Sequence, residues 1–150
     1  MVEEKGDVYA TGAFDQIFTH FEAQENLRDL HGKLYDDFYR LRATLAAATP
    51  RSLIVLNEVF NSTSLNGAVF LSTKILQAIL KLDAFCVCVT FLDDLASLSV
   101  GIVSVASTVN PECVAERTFK VIRKPPDGLA YAISIAEKHR LTYRQLLDRL

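Results

Sequence analysis

Cysteine is scarce in this sequence, and what there is forms no framework. The three cysteines are Cys86, Cys88 and Cys113. No Cys-x-x-Cys pair and no nearby histidine accompany them, which argues against a zinc site or a disulfide scaffold. In FCVCV, strand alternation sends Cys86 and Cys88 to one face, as reduced core thiols. Reduced thiols predict a cytoplasmic protein. An excess of one charge is also lacking. The net charge of −2 offers no basic footprint, so these residues are not expected to bind DNA directly. The acidic opening has no apolar h-region, so no signal peptide is expected. No apolar run reads as long enough to span a membrane, and no membrane partner is expected. Internal repeats and low-complexity tracts are missing too.

A phosphate-binding loop is absent from these residues. The one Gly-Lys pair, Gly32-Lys33, has Leu27 where a P-loop needs its first glycine and Leu34 where it needs Ser or Thr.

What is present is ordinary globular material: 150 residues, 50% hydrophobic and 23% charged, enough for a single domain with a real core. The opening MVEEKGDVYATGAFDQIF has little punctuation, and the chain is read as the later part of a longer polypeptide. FDQIFTHF (14–21) reads as a short strand with apolar residues on both faces, and 22–32 as polar loop. Leu34, Phe38, Leu41 and Leu45 recur at helical spacing and predict a helix over 33–48, stopped by Pro50. Ser52 to Asn57 contains Leu53-Ile54-Val55-Leu56, an apolar run that predicts a strand buried on both faces. The hydroxyl cluster Asn61-Ser62-Thr63-Ser64 supplies N-caps for a helix over about 66–81. Ala84 to Thr90 reads as a second doubly buried strand, and 91–98 as a short acidic helix or turn. Gly101–Thr108 and Arg117–Arg123 predict an antiparallel pair. Pro125-Pro126-Asp127-Gly128 breaks the chain before closing helices over 129–139 and 142–150, with Thr142 as an N-cap. Two apolar strands joined through a helix predict a right-handed parallel crossover in a covered α/β sheet.

The chemistry sits where LIVL runs into Asn57-Glu58. Ligands of open α/β sheets bind at the carboxyl ends of strands. In nucleotide hydrolases an apolar strand ends in acidic residues that hold Mg²⁺ and polarise water. As a bare string the pattern is weak, since strand ends often carry a capping carboxylate.

Taken together, FDQIFTHF and the following helix, SLIVLNEVFNSTSLNGA, VCVTFLDDLASL and DGLAYAISIAEKHRLTYRQLLDRL resemble the C-terminal half of the ATPase domain of the MutS family of DNA mismatch-repair proteins. The likeness covers about Gly12 to Leu150 in one continuous motif order. It implies an α/β fold of the P-loop NTPase (ABC-type) class, a mainly parallel sheet flanked by helices that here lacks its P-loop segment. In the family, the Walker B strand leads to a Gly/Thr/Ser-rich turn, a long helix and a second strand ending in Thr-His. A strand pair and a helix opening on Ser-Tyr-Gly follow, represented here by Ala130-Tyr131-Ala132.

The resemblance implies Glu58 as catalytic base. It implies Asn57, Ser62, Thr63, Asn66, Thr90 and Lys33 as nucleotide-side residues, with Asn57 meeting Mg²⁺ through water. It also implies ATP and Mg²⁺ as cofactors of the full-length protein, a homodimer with composite sites, and DNA bound through other domains. The departures are chemically specific. The Walker B Asp is Asn57, which brings no charge. The turn's Asp is Asn66, and the His after the second strand's Thr is Phe91. The partner-reaching Ser-rich signature is Leu30-His31-Gly32-Lys33-Leu34. Lys33 either meets a phosphate across a dimer interface as a point charge or is only a helix-start lysine. The alternative reading is a non-catalytic dimerisation or interaction module on a degenerate ATPase fold. A third is an unrelated α/β domain with capped strand ends.

Other residues have plainer readings. Asp93-Asp94 reads as a solvated helix start, and His20 and His139 as surface or satisfied histidines. Tyr35, Phe38 and Tyr39 read as packing or as a partner-facing stripe.

Overall fold

The computed structural model describes residues 14–21, 32–110, 113–126 and 131–147. Residues 22–31 of the loop expected over 22–32, with Leu30-His31 among them, Asp127-Gly128, Ala130, the side chain of Cys113 and the last three residues lie outside them. The chain divides into two compact units, Met1–Leu95 and Ala96–Leu150.

The first unit is a three-stranded parallel sheet flanked by helices. Its strands are β1 (Gln16–His20), β2 (Ser52–Asn57) and β3 (Phe85–Val89), in the order β1-β2-β3. Helix α1 (Lys33–Ala47) links the first two strands and α2 (Leu65–Leu82) the last two. The pairing is in continuous parallel register, Phe18 beside Ile54 beside Cys86 and His20 beside Leu56 beside Cys88. The crossover expected from the two apolar runs is therefore present. Both crossovers step in the same direction across the sheet. Right-handed connections then place α1 and α2 on the same face.

That geometry gives the sheet two unlike faces. Ile54 and Leu56 are 1% and 2% exposed, and His20, on the same face, is buried with them. Leu41 of α1 and Ala68, Leu76 and Ile79 of α2 complete this core. Residues of opposite parity form the other face, where Ile17 is 66% exposed, Val87 45% and Phe85 59%. The expectation that β2 and β3 are buried on both faces is thus corrected. β2 is sealed on one face and half-covered on the other, and among the described residues β3 is an edge strand. A one-sided helix layer leaves the far face open whatever its composition.

Local chemistry sets the helix ends. Ser64 caps α2, its Oγ accepting from Gly67 N–H at 3.2 Å. A Cβ on Gly67 would stand 3.0 Å from Thr63 Oγ1 and 3.1 Å from Ser64 Oγ, so glycine lets the capping turn close. Asp83 ends the helix in the left-handed conformation, φ 60°, as helix C-termini commonly do. Gly32 precedes α1 with no side-chain cap. By length and composition α2, 18 residues with a mean hydropathy of 1.2, also qualifies as a membrane span, against the expectation from sequence. Its buried stripe and its capped place in the crossover fit a core helix.

A 3₁₀ turn (Asp93–Ser97) follows β3. The second unit contains the expected antiparallel pair, β4 (Val105–Asn110) and β5 (Cys113–Arg123). β4 begins later than its apolar pattern suggests and β5 earlier. The register shifts between Ser107 and Val109, where Thr108 and Thr118 hydrogen-bond through their hydroxyls. Three residues of β5, 118–120, stand opposite Thr108 there, an enlarged bulge in which Phe119 takes φ 58°. Helix α3 (Tyr131–Lys138) packs on β5. α4 (Tyr143–Leu147) starts after Thr142, whose N–H donates to Gln145 Oε1 at 3.3 Å, half of a capping box.

Candidate functional site

In a parallel βαβ unit each helix runs back against its strands, so helix N-termini lie on the side of the strand carboxyl ends. Topology therefore gathers the C-termini of β1, β2 and β3 with the N-termini of α1 and α2. Asn57, Glu58, Ser62, Thr63, Asn66, Thr90 and Lys33 all belong to these segments.

Glu58 is the first residue beyond β2, and its N–H donates to Val89 O at 2.9 Å. The residue sits at φ 50°, a region that costs a side-chain-bearing residue on the order of 1–2 kcal/mol. Phe60 repeats this at φ 61° while fully buried, its ring 5.1 Å from that of Phe38. Burial of that ring holds the turn, so the strained backbone is fixed by packing on α1. Burial also pushes the Glu58 carboxyl above its ordinary value. Among the described residues no hydrogen bond or ion pair holds this carboxylate. Its charge acts on Cys88, whose thiol is pushed up by burial and then by Glu58. Cys86 is pushed up to about 12, chiefly by burial, which leaves it an inert thiol.

The other candidates have mixed placements. Asn57 pairs in register with Val89 and so lies on the open face, whereas Glu58 acts on Cys88 of the covered face. Thr90 Oγ1 accepts from Leu92 N–H at 3.1 Å, which occupies its hydroxyl in a turn. Thr63 is half-buried beside Gly67, and Ser62 and Asn66 are exposed. Lys33 is the first residue of α1. Phe91 is 87% exposed. Among the described residues no three His, Cys, Asp or Glu side chains gather to hold a metal.

One cluster escaped the sequence reading. His20 Nε2 lies 3.0 Å from Asp37 Oδ1, both side chains buried. Arg40, one turn further along α1, donates from Nη1 to Phe21 O at 3.2 Å. Of the two expectations for His20, surface or satisfied, the structure shows the satisfied one. Only an acidic residue on the inward stripe of α1, Asp37, hinted at the pair.

No family model matches the sequence, and no curated protein compared with it matches either. The likeness to the MutS family rests on motif order alone.

Proposed function

We propose that this chain is part of the ATP-hydrolysing domain of a MutS-like DNA-repair or DNA-structure-recognition protein, with Glu58 as the base. The observation that carries this reading is Glu58 itself. A half-buried carboxylate with no partner among the described residues stands in a strained conformation directly past the carboxyl end of the central strand. Strain of this kind concentrates at working sites, and a raised carboxyl makes a better proton acceptor at neutral pH. In this reading Glu58 takes a proton from water attacking a phosphoryl group, and the Phe38–Phe60 contact fixes its aim.

The residues present do not by themselves fit a Mg²⁺·ATP site. Asn57 brings no charge, the sequence holds no P-loop, and among the described residues no acidic cluster accompanies Glu58. Nucleotide affinity must then come from further polypeptide and, across a homodimer, from a partner copy. DNA contact belongs to other domains in the same reading. The exposed apolar face of Phe85 and Val87 supports a sheet that further chain completes.

The same face favours the second reading, a non-catalytic dimerisation module on a degenerate ATPase fold. The two readings part on one experiment. In a parent polypeptide with ATPase activity, Glu58→Ala abolishes turnover while ATP binding persists. Unchanged turnover removes Glu58 from the mechanism and leaves the interaction module. Tight binding of ATP·Mg²⁺ by the 150-residue chain alone would contradict the first reading outright.

A further inference from the structure

We propose that His20, Asp37 and Arg40 form a pH-operated clamp that fastens α1 to the carboxyl end of β1, holding while His20 is neutral and loosening when it is protonated. His20 is the last residue of β1 and Asp37 lies in the second turn of α1. The 3.0 Å contact between them is buried, and Arg40 adds a second tie from α1 to the backbone just beyond β1. Two side-chain bonds to adjacent residues thus fix how α1 meets the strand.

A carboxylate oxygen only accepts, so Nε2 is the ring nitrogen that carries the proton and Nδ1 is the one left to titrate. Among the described residues, the charged and titratable groups that act on His20 are Asp37 and Arg40, both from α1. β2 meets it through Leu56, its register partner. Asp37 favours the imidazolium. Burial and then the Arg40 guanidinium oppose it and prevail, holding His20 below its ordinary 6.5.

The sign differs from that of an ordinary His–Asp ion pair. An ion pair would raise the histidine and strengthen on acidification. Here the folded-state value lies below the unfolded one. The clamp's contribution is therefore complete above about 6.5 and is lost as pH falls through 6.5 towards the folded value. Below that window a second proton places positive charge in a dry site beside Arg40, and opening α1 to water relieves it. The clamp needs no nucleotide and is independent of the role proposed for Glu58.

The test uses the 150-residue chain. The His20 ring is titrated by NMR, its signal assigned by its loss in His20→Gln, while amide exchange is followed in α1 and α2 from about pH 8 to about pH 5. His20 is expected to titrate below 6.5, lower still in Asp37→Asn and higher in Arg40→Gln. Protection of α1 amides should fall on acidification. Each pH unit by which His20 titrates low corresponds to about a tenfold loss, and His20→Gln should lack that loss. The clamp is overturned by His20 titrating at or above its ordinary value, by α1 protection that holds or rises on acidification, or by an equal loss in His20→Gln. Should His20→Gln fail to fold, the wild-type titration and the Arg40→Gln shift decide on their own.

Discussion

The N–H of Glu58 donates to the carbonyl oxygen of Val89 at 2.9 Å, so the first residue past β2 is pinned to the last residue of β3. The bond extends the β2–β3 ladder by one step while the chain turns away at φ 50°. Its charge reaches Cys88 of the covered face.

This placement has a stability cost at neutral pH that a neutral isostere should remove. Burial raises the Glu58 carboxyl above 4.5, so ionisation favours the unfolded chain. The protonated group's contribution is complete below 4.5 and is lost as pH rises through the raised value. Glu58→Gln is therefore expected to exceed the wild type in urea midpoint at about pH 7 and to equal it at about pH 3. A variant less stable than wild type at neutral pH would show that the ionised carboxylate has a favourable partner.

The two faces of the sheet should respond unequally to truncation. Ile54 is 1% exposed, and Ile54→Ala should cost about 2–5 kcal/mol as a core cavity. Ile17, 66% exposed, should change stability by no more than about 0.5 kcal/mol when cut to Ala. Denaturant melts of the two variants check this, and equal losses would mean that the open face is covered in solution.

The left-handed end of α2 gives a third expectation. Asp83 holds φ 60° with its N–H bonded to Leu80 O at 3.2 Å. Asp83→Gly should raise stability by about 0.5 kcal/mol, because glycine adopts this conformation without strain. Asp83→Val should lower it by about 1 kcal/mol or more, since branching at Cβ is poorly tolerated there. Thermal unfolding of both variants tests the pair, and the reverse ranking would sink it.

Much of this fold is legible in the residues. β2 falls on Ser52–Asn57 as the LIVL run demands, and α2 follows its hydroxyl cap at Ser64. The edge position of β3 is not legible. FCVCV is as apolar as a central strand, and only the count of strands around it says otherwise. The left-handed turn at Glu58 and Phe60 is equally hidden, because no glycine there announces a positive φ. Phe60 takes it because its ring is paid for by burial against Phe38. The His20–Asp37 contact joins residues that only the β1–α1 crossover brings together. A polar residue on an inward stripe signals that some partner exists without saying which. The site was readable as an Asn-Glu pair at a strand end, but the left-handed turn that breaks the strand at Glu58, φ 50°, was not.

The strand topology also sets an order of assembly. β4 and β5 pair from Asn110 and Cys113 outward, a local zipper of the kind that closes in about 1–10 μs. Every pairing in the β1-β2-β3 sheet spans a crossover with a whole helix inside it, so loop-closure entropy is lost before any ladder bond forms. The segment bearing Glu58 is joined on both sides by such non-local pairings, which makes it among the last parts of the chain to reach its native geometry.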